Sequence, residues 1–473
     1  MAFALIACSD DFVDVVSENE SADNFFNSEE DYQNALIGAY DLLQATYLNV
    51  LVGEIASDNT LAGGESANDV IGIQQIDDME HTPVNQQLRD IWNWMFAGVN
   101  RANYIMQFQD KTDFPGKDEV IAQTRFLRAY YYFELVKWFG AVPLVVDRPL
   151  EFGDQFNVDR TPVDQVYDQI EADLIFAAEN LPAMQEQAGR ITSGAANALL
   201  GKAYLYQEQY SEAAVALEKV INGPYRLVED YESIFEQEGE NGPGSVFEVQ
   251  YTDKEGAGFG CLQCSEGNVA VGFNGIRNFN GPIFDSGFSF NIPTQEVVDA
   301  FESGDIREDV AILDIDEFAA RTGATFVEGF EHTGYYNRKY IARQGDLNTG
   351  DANLTNPNNY RAIRFADVLL MAAEANVLKA SPDMQKAQNY LNRVRERAEL
   401  EPVMASGTEL LEAIYQERRV ELVGEGHRFF DLVRTGRAAS EIEGFQTGKN
   451  ELFPIPQIEI ELAGNNWEQN PGY

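Results

Sequence analysis

The sequence predicts a mainly α fold, a superhelix of paired helices interrupted by a loop-rich insert carrying short strands. Three observations carry that expectation. Apolar residues recur at three- and four-residue spacing over much of the chain; one stretch has the offsets of a closely packed helix pair; and between about 223 and 350 the pattern gives way to Gly, Asn and aromatic residues. The expected organisation is an acidic, flexible tether over 1–20 followed by one domain over 21–473. Its helical repeats lie at about 25–222 and 361–435, with the insert at about 223–350.

Leu5-Ile6-Ala7-Cys8 has the apolar, apolar, small, Cys order of a lipoprotein signal-peptidase site, preceded by apolar MAFA. A basic leader segment is missing, and seven residues are too few for a whole signal peptide. Lipidation of Cys8 would make the chain exported and tethered; the alternative is a chance cysteine near a terminus.

From Ser28 the signal is helical. Tyr32, Ala35, Leu36, Ala39, Tyr40 and Leu43 share one face, and Ser28 with Asp31 three residues on reads as an N-cap. Similar patterns near 86–108, 118–138, 162–180, 194–221, 361–379, 384–398 and 408–434 make about eight helical segments. Over 198–225, Leu200, Gly201, Tyr204, Ala213, Leu217 and Val220 fall at tetratricopeptide offsets, with small Gly201 and Ala213 letting two antiparallel helices approach. Ala375, Leu378, Ala387, Leu391 and Val394 form a looser second copy, with Ser381-Pro382 between its helices. In the insert, GAGFGCLQCSEGNVAVGFNGIRNFNGPIF is too rich in turn formers for helices, and loops with short strands such as that around Val246 are expected. Long ordered loops of this kind usually carry binding function.

The chain has 473 residues, 44% of them hydrophobic and 12% aromatic, enough to bury a large core. Against 33 Lys and Arg stand 78 Asp and Glu, a net charge of −45. Such a field repels nucleic acid, anionic membranes and sulfated or uronic-acid glycans, so a neutral ligand is favoured. No run of about 18 apolar residues is present, which argues against a membrane-spanning helix.

Catalytic motifs are missing. There is no G-x-S-x-G, H-E-x-x-H or Walker sequence, GAGFGC lacks the last glycine of G-x-G-x-x-G, and His81, His332 and His427 are far apart. Cys261 and Cys264 form one C-x-x-C without the further ligands a zinc site needs; in an oxidising compartment a small-loop disulfide is favoured over two free thiols. No calcium loop matches, and no metal or cofactor is expected.

The segment ERRVELVGEGHRFFDLVRTG over 417–436, the terminal LFPIPQIEIELAGNNWEQNPGY, RFLRAYYYFELVKWFGAVPLV over 125–145, IPTQEVVDAFESGDIRED and the Cys8 lipobox together resemble the SusD/RagB family of surface glycan-binding lipoproteins. The resemblance spans essentially the whole chain. Thr435 departs from it, standing where members often carry an aromatic. The resemblance implies a non-catalytic, tetratricopeptide-containing, cell-surface protein of the outer membrane, held by a lipid anchor. It would capture an oligosaccharide and hand it to a SusC-like TonB-dependent transporter, using loop residues that vary between members. Within the matched segments, Glu417, Glu421, Arg418 and Arg428 alternate in sign along a helix and its following turn and are expected to pair with one another. Arg128 and Arg434 are expected to cap or cross-link helices.

Sugar capture needs an aromatic face for C–H surfaces and polar oxygens for hydroxyls. Asp58 and Asn59 follow a short apolar stretch beside Gly63-Gly64, so free side chains are expected there, the bland alternative being a turn or a helix cap. Trp92 shares a helical face with Phe96 and Val99, whereas Trp94 lies about 200° away, so one of the two is expected to reach sugar unless both pack between helices. Phe273 in the insert is the third candidate, against the alternative that it anchors its own loop. The ligand expected is a neutral polysaccharide of β-glucan type such as laminarin. The rival readings are a glycoside hydrolase with an unrecognised carboxylate pair and a tetratricopeptide scaffold for proteins.

Overall fold

A computed structural model describes residues 25–151, 153–345, 349–351 and 353–473; Cys8 and the expected tether lie outside them. The first helix, α1 (Glu29–Asp41), opens on a capping box in which Ser28 and Asp31 satisfy each other's backbone, and it buries Tyr32, Leu36 and Ala39. α2 (Tyr47–Ile55) escapes periodicity because all but one of its residues are buried, leaving no polar stripe to mark it. α3 (Ile71–Asp77), α4 (Gln86–Gln107), α5 (Lys117–Phe139) and α6 (Val163–Asn180) follow, α5 being enclosed on nearly every side from Val120 onwards.

α7 (Ser193–Tyr206) and α8 (Tyr210–Ile221) form the tetratricopeptide pair. Gly201 earns its place by contact: a β-carbon there would sit 2.5 Å from the Leu217 side chain. The second pair, Phe365–Leu378 with Met384–Arg397, packs against α8 through its first helix. The fold is thus a mainly α, tetratricopeptide-like superhelix.

Three local expectations are corrected. The helix expected from 361 begins at Phe365, because Tyr360–Arg364 is a strand paired antiparallel with Ser245–Val249, which ties the insert to the second repeat. The helix expected over 408–434 breaks into Thr408–Glu421 and Arg428–Arg434. Gly424 and Gly426 between them are left-handed, and a β-carbon on Gly426 would lie 2.8 Å from the Val50 backbone. Finally, the turn-rich stretch in the insert does hold a short helix, Val269–Asn274, started by the Asn268 side chain.

The described strands form two-stranded sheets. Thr60–Gly63 pairs antiparallel with Phe290–Pro293 in the register Thr60↔Pro293 and Leu61↔Ile292, docking the insert on the N-terminal helices. One core runs from Phe26 to Trp467, and two smaller ones lie around Phe284 and Phe301. The stretch Glu29–Ile55 is apolar enough for a membrane span, but it is broken around Leu43 and most of its apolar window is buried inside the protein.

The charged C-terminal motif pairs across the fold, not along its own helix. Glu421 accepts from Arg307, Arg364 and Arg397 at 2.9, 2.7 and 2.6 Å, Glu417 from Arg307 and Arg395, and Arg418 reaches Asp367 and Asp431. Apart from Asp431, which lies within the motif, these partners come from the insert and from the strand and helices of the second repeat, so the motif clasps distant segments together. Arg128 bridges α5 to Asp173 of α6, and Arg434 bridges to Glu374, as cross-links.

Candidate functional site

Asp58 and Asn59 are not free. Arg428 donates to both Asp58 oxygens at 2.7 and 2.8 Å, and Arg419 lies at 2.9 Å. Asn59 is fully buried, donating to Glu54 and accepting from Arg419. Two guanidiniums converging on one carboxylate turn the expected contact site into a brace between the N-terminal helices and the C-terminal motif.

The two indoles occupy opposite sides of α4, and both are core. α4 begins at Gln86, well before them, so neither projects from its end. Trp94 is 9% exposed and lies beside Tyr47. Trp92 is 3% exposed, wedged among Phe96, Phe139 and Trp467 at ring-centre distances of 4.8, 5.2 and 6.3 Å. It is one of the residues lining a cleft of about 310 Å³, with almost none of its surface exposed there.

Phe273 is buried as the second tier of an aromatic stack that rises out of the insert. Phe290 lies 5.3 Å below it and half-buried Phe288 lies 5.7 Å from it; Phe259 stands 5.9 Å from Phe288 and is 60% exposed. Phe273 therefore supports the outer rings. Gly258 and Gly260 flank Phe259 with open space where side chains would be, so nothing local covers the ring. Cys261 and Cys264 are bonded immediately after it.

Polar groups border this ledge. Arg277 donates to the Phe288 carbonyl at 2.9 Å and lies 3.5 Å from both Glu65 and Asp69. Gly64 joins three segments, donating to Ser289 and accepting from the Phe330 N–H. An exposed ring can cover the C–H face of a pyranose, and the carboxylates and guanidinium gathered at the Phe288 end of the stack are donors and acceptors of the kind its hydroxyls need. Sequence reading missed Phe259 because GAGFGC reads as part of a turn-rich loop and as an incomplete phosphate loop, and neither reading singles out its aromatic. The available signal was an aromatic between two glycines, beside a stapling cysteine pair.

Behind the ledge, Asp77 accepts from the Ala62 N–H at 2.7 Å, and burial, reinforced by Glu331 and Asp78, pushes its carboxyl up to about 8. An unfolded Asp titrates near 3.9, so between these values the folded state holds the extra proton and its stability falls as pH rises. Asp77→Asn is expected to abolish that fall, gaining on the wild type from about pH 4 to about pH 8 and no further. Denaturation midpoints across this range measure it, and parallel pH profiles would refute it.

A helical-repeat body with an exposed aromatic ledge on its loop-rich insert is the architecture the chain presents. Residues 243–451 match the model of the SusD family, and residues 11–205 match one described as starch-binding associating with outer membrane. The chain belongs to the SusD family. It is 35% identical to a solved laminarin binding SusD-like protein, covering 95% of this chain and 100% of that one with a TM-score of 0.86. Surface glycan-binding protein A from Bacteroides thetaiotaomicron, solved in complex with laminarihexaose, is 27% identical, with 93% and 99% covered and a TM-score of 0.82. SusD-like protein P2 of Formosa agariphila is 26% identical over 100% of this chain and 98% of its own.

Proposed function

We propose that this protein captures a neutral polysaccharide of laminarin type at the cell surface, without cleaving it, and passes it to a SusC-like TonB-dependent transporter while held to the outer membrane through lipidated Cys8. The observation that carries the reading is the exposed Phe259 over Phe288 and Phe273, on a chain similar to a laminarin binding protein. The net charge of −45 supports a neutral ligand over an anionic one.

Calorimetry of the soluble chain lacking Cys8, against laminarin, alginate and a sulfated galactan, tests the glycan class. Laminarin is expected to bind and the anionic glycans are not; preference for either anionic polymer overturns the charge argument. Release of reducing ends from laminarin would overturn the non-catalytic reading. Phe259→Ala is expected to weaken laminarin binding by about 1–2 kcal/mol, or about 5- to 30-fold, with stability unchanged because the ring buries little surface.

A further inference from the structure

The net charge of −45 sets the sign of the field around the molecule, but it does not by itself make the ledge selective. With a screening length of about 8 Å at physiological salt, a sugar lying on the aromatic stack feels mainly the charges beside it. Those gathered at the Phe288 end are Arg277, Glu65 and Asp69.

Their placement follows from the strand pairing. Gly63 lies opposite Phe290, and the Gly64 N–H donates to the Ser289 carbonyl at 2.6 Å, so the antiparallel register runs one residue further and Glu65 comes next, on the side of Phe288. The turn that follows closes on itself. Asp69 Oδ2 accepts from the Glu65 N–H at 2.8 Å, and the Asp69 N–H donates to the Ser66 carbonyl at 2.8 Å. From the other side, the Arg277 backbone N–H donates to Ser289 Oγ at 2.9 Å and its Nη2 donates to the Phe288 carbonyl at 2.9 Å, which sets the guanidinium between the stack and the turn.

A guanidinium is the side chain best shaped to receive a carboxylate, through paired N–H donors. Arg277 retains that capacity. Its side chain keeps 17% of its surface, Nη1 donates no hydrogen bond among the described residues, and the oxygens of Glu65 and Asp69 stand off at 3.5 Å. Pairs this long, one of them with a Glu65 side chain 75% exposed, contribute little to stability. Their effect is on charge: two carboxylates against one guanidinium leave the spot net negative, and a sugar carboxylate arriving there meets like charges. We infer that Glu65 and Asp69 determine the specificity of the ledge, withholding Arg277 from uronic-acid chains while leaving a neutral glycan free to bind. This rests on the glycan-binding reading and adds which residues select against charge.

Calorimetry with laminarihexaose and with a hexamer of mannuronic acid, on the soluble chain lacking Cys8, tests it. The double variant Glu65→Gln/Asp69→Asn is expected to melt with the wild type and to bind laminarihexaose equally, because the amides still accept from hydroxyls. Its affinity for the mannuronate hexamer is expected to rise about 10-fold over the wild type, and adding Arg277→Gln is expected to remove that gain. Either single neutralisation is expected to give part of it. Glu179→Gln/Glu396→Gln, which removes the same charge from exposed positions on the helical repeats, is expected to give none. No gain in the double variant, a gain that survives Arg277→Gln, or an equal gain from the repeat variant would each overturn the specificity role while the ledge stands. If the wild type does not bind laminarihexaose, the glycan-binding reading falls and this one with it.

Discussion

Glu421→Ala is expected to lower stability by about 3–5 kcal/mol, the cost of breaking a buried ion pair by removing one partner. Glu421 is fully buried, and the guanidiniums it serves are buried with it. Arg307 keeps Asp305 and Glu417, and Arg364 keeps Glu425, but Glu421 is the carboxylate that holds Arg397, whose Nε and Nη1 already have no hydrogen-bond partner. The variant strands that guanidinium beside Tyr231. Adding Arg397→Met is expected to recover part of the loss, because an apolar side chain of similar length needs no partner. Burial alone would raise the Glu421 carboxyl, but Arg397, Arg364 and Arg307 outweigh it and hold it well below the ordinary range. A folded value below the unfolded one stabilises above about pH 4.3 and is lost as pH falls, so wild type and variant are expected to converge in acid. Urea midpoints at neutral and acid pH measure both effects; a variant within 1 kcal/mol of wild type at neutral pH would refute the clasp.

Trp92→Ala is expected to cost about 3–5 kcal/mol of stability, as for large aromatic residues deleted from a packed core. The laminarin affinity of the remaining folded protein is expected to be unchanged. The ring touches Phe96, Phe139 and Trp467, and Trp467 in turn donates to the Val158 carbonyl at 3.0 Å, so the indole pins the C-terminal segment onto α4 and α5. Chemical denaturation with calorimetry on the same samples separates the effects. Weaker sugar binding at unchanged stability would return Trp92 to the role its residue type first suggested.

Much of the fold was legible because helix signals are local. The Ser28–Asp31 box, the stripe of Tyr32, Leu36 and Ala39, and the Gly201–Leu217 seam need only neighbours in sequence and a regular period. Where every face is buried, as in α2, the stripe vanishes and so did the reading. The break at Gly424 and Gly426 was hidden for another reason: the glycines are read correctly only once the Val50 backbone is seen beside them.

The site was far less legible. Asp58 looked free because it sits among polar residues and glycines, but its partners Arg419 and Arg428 are some 360 residues away in sequence. Trp92 and Trp94 have the right chemistry for sugar and the wrong exposure.

By itself the sequence determined the helical repeats, the change of character at the insert and the charge that disfavours anionic ligands, because periodicity and composition are summed along the chain. Only the tertiary structure decided which polar and aromatic side chains remain available, setting Phe259 at the surface and Asp58, Asn59 and Trp92 within. Availability depends on what distant segments bring to within a few ångströms, and no local pattern records that.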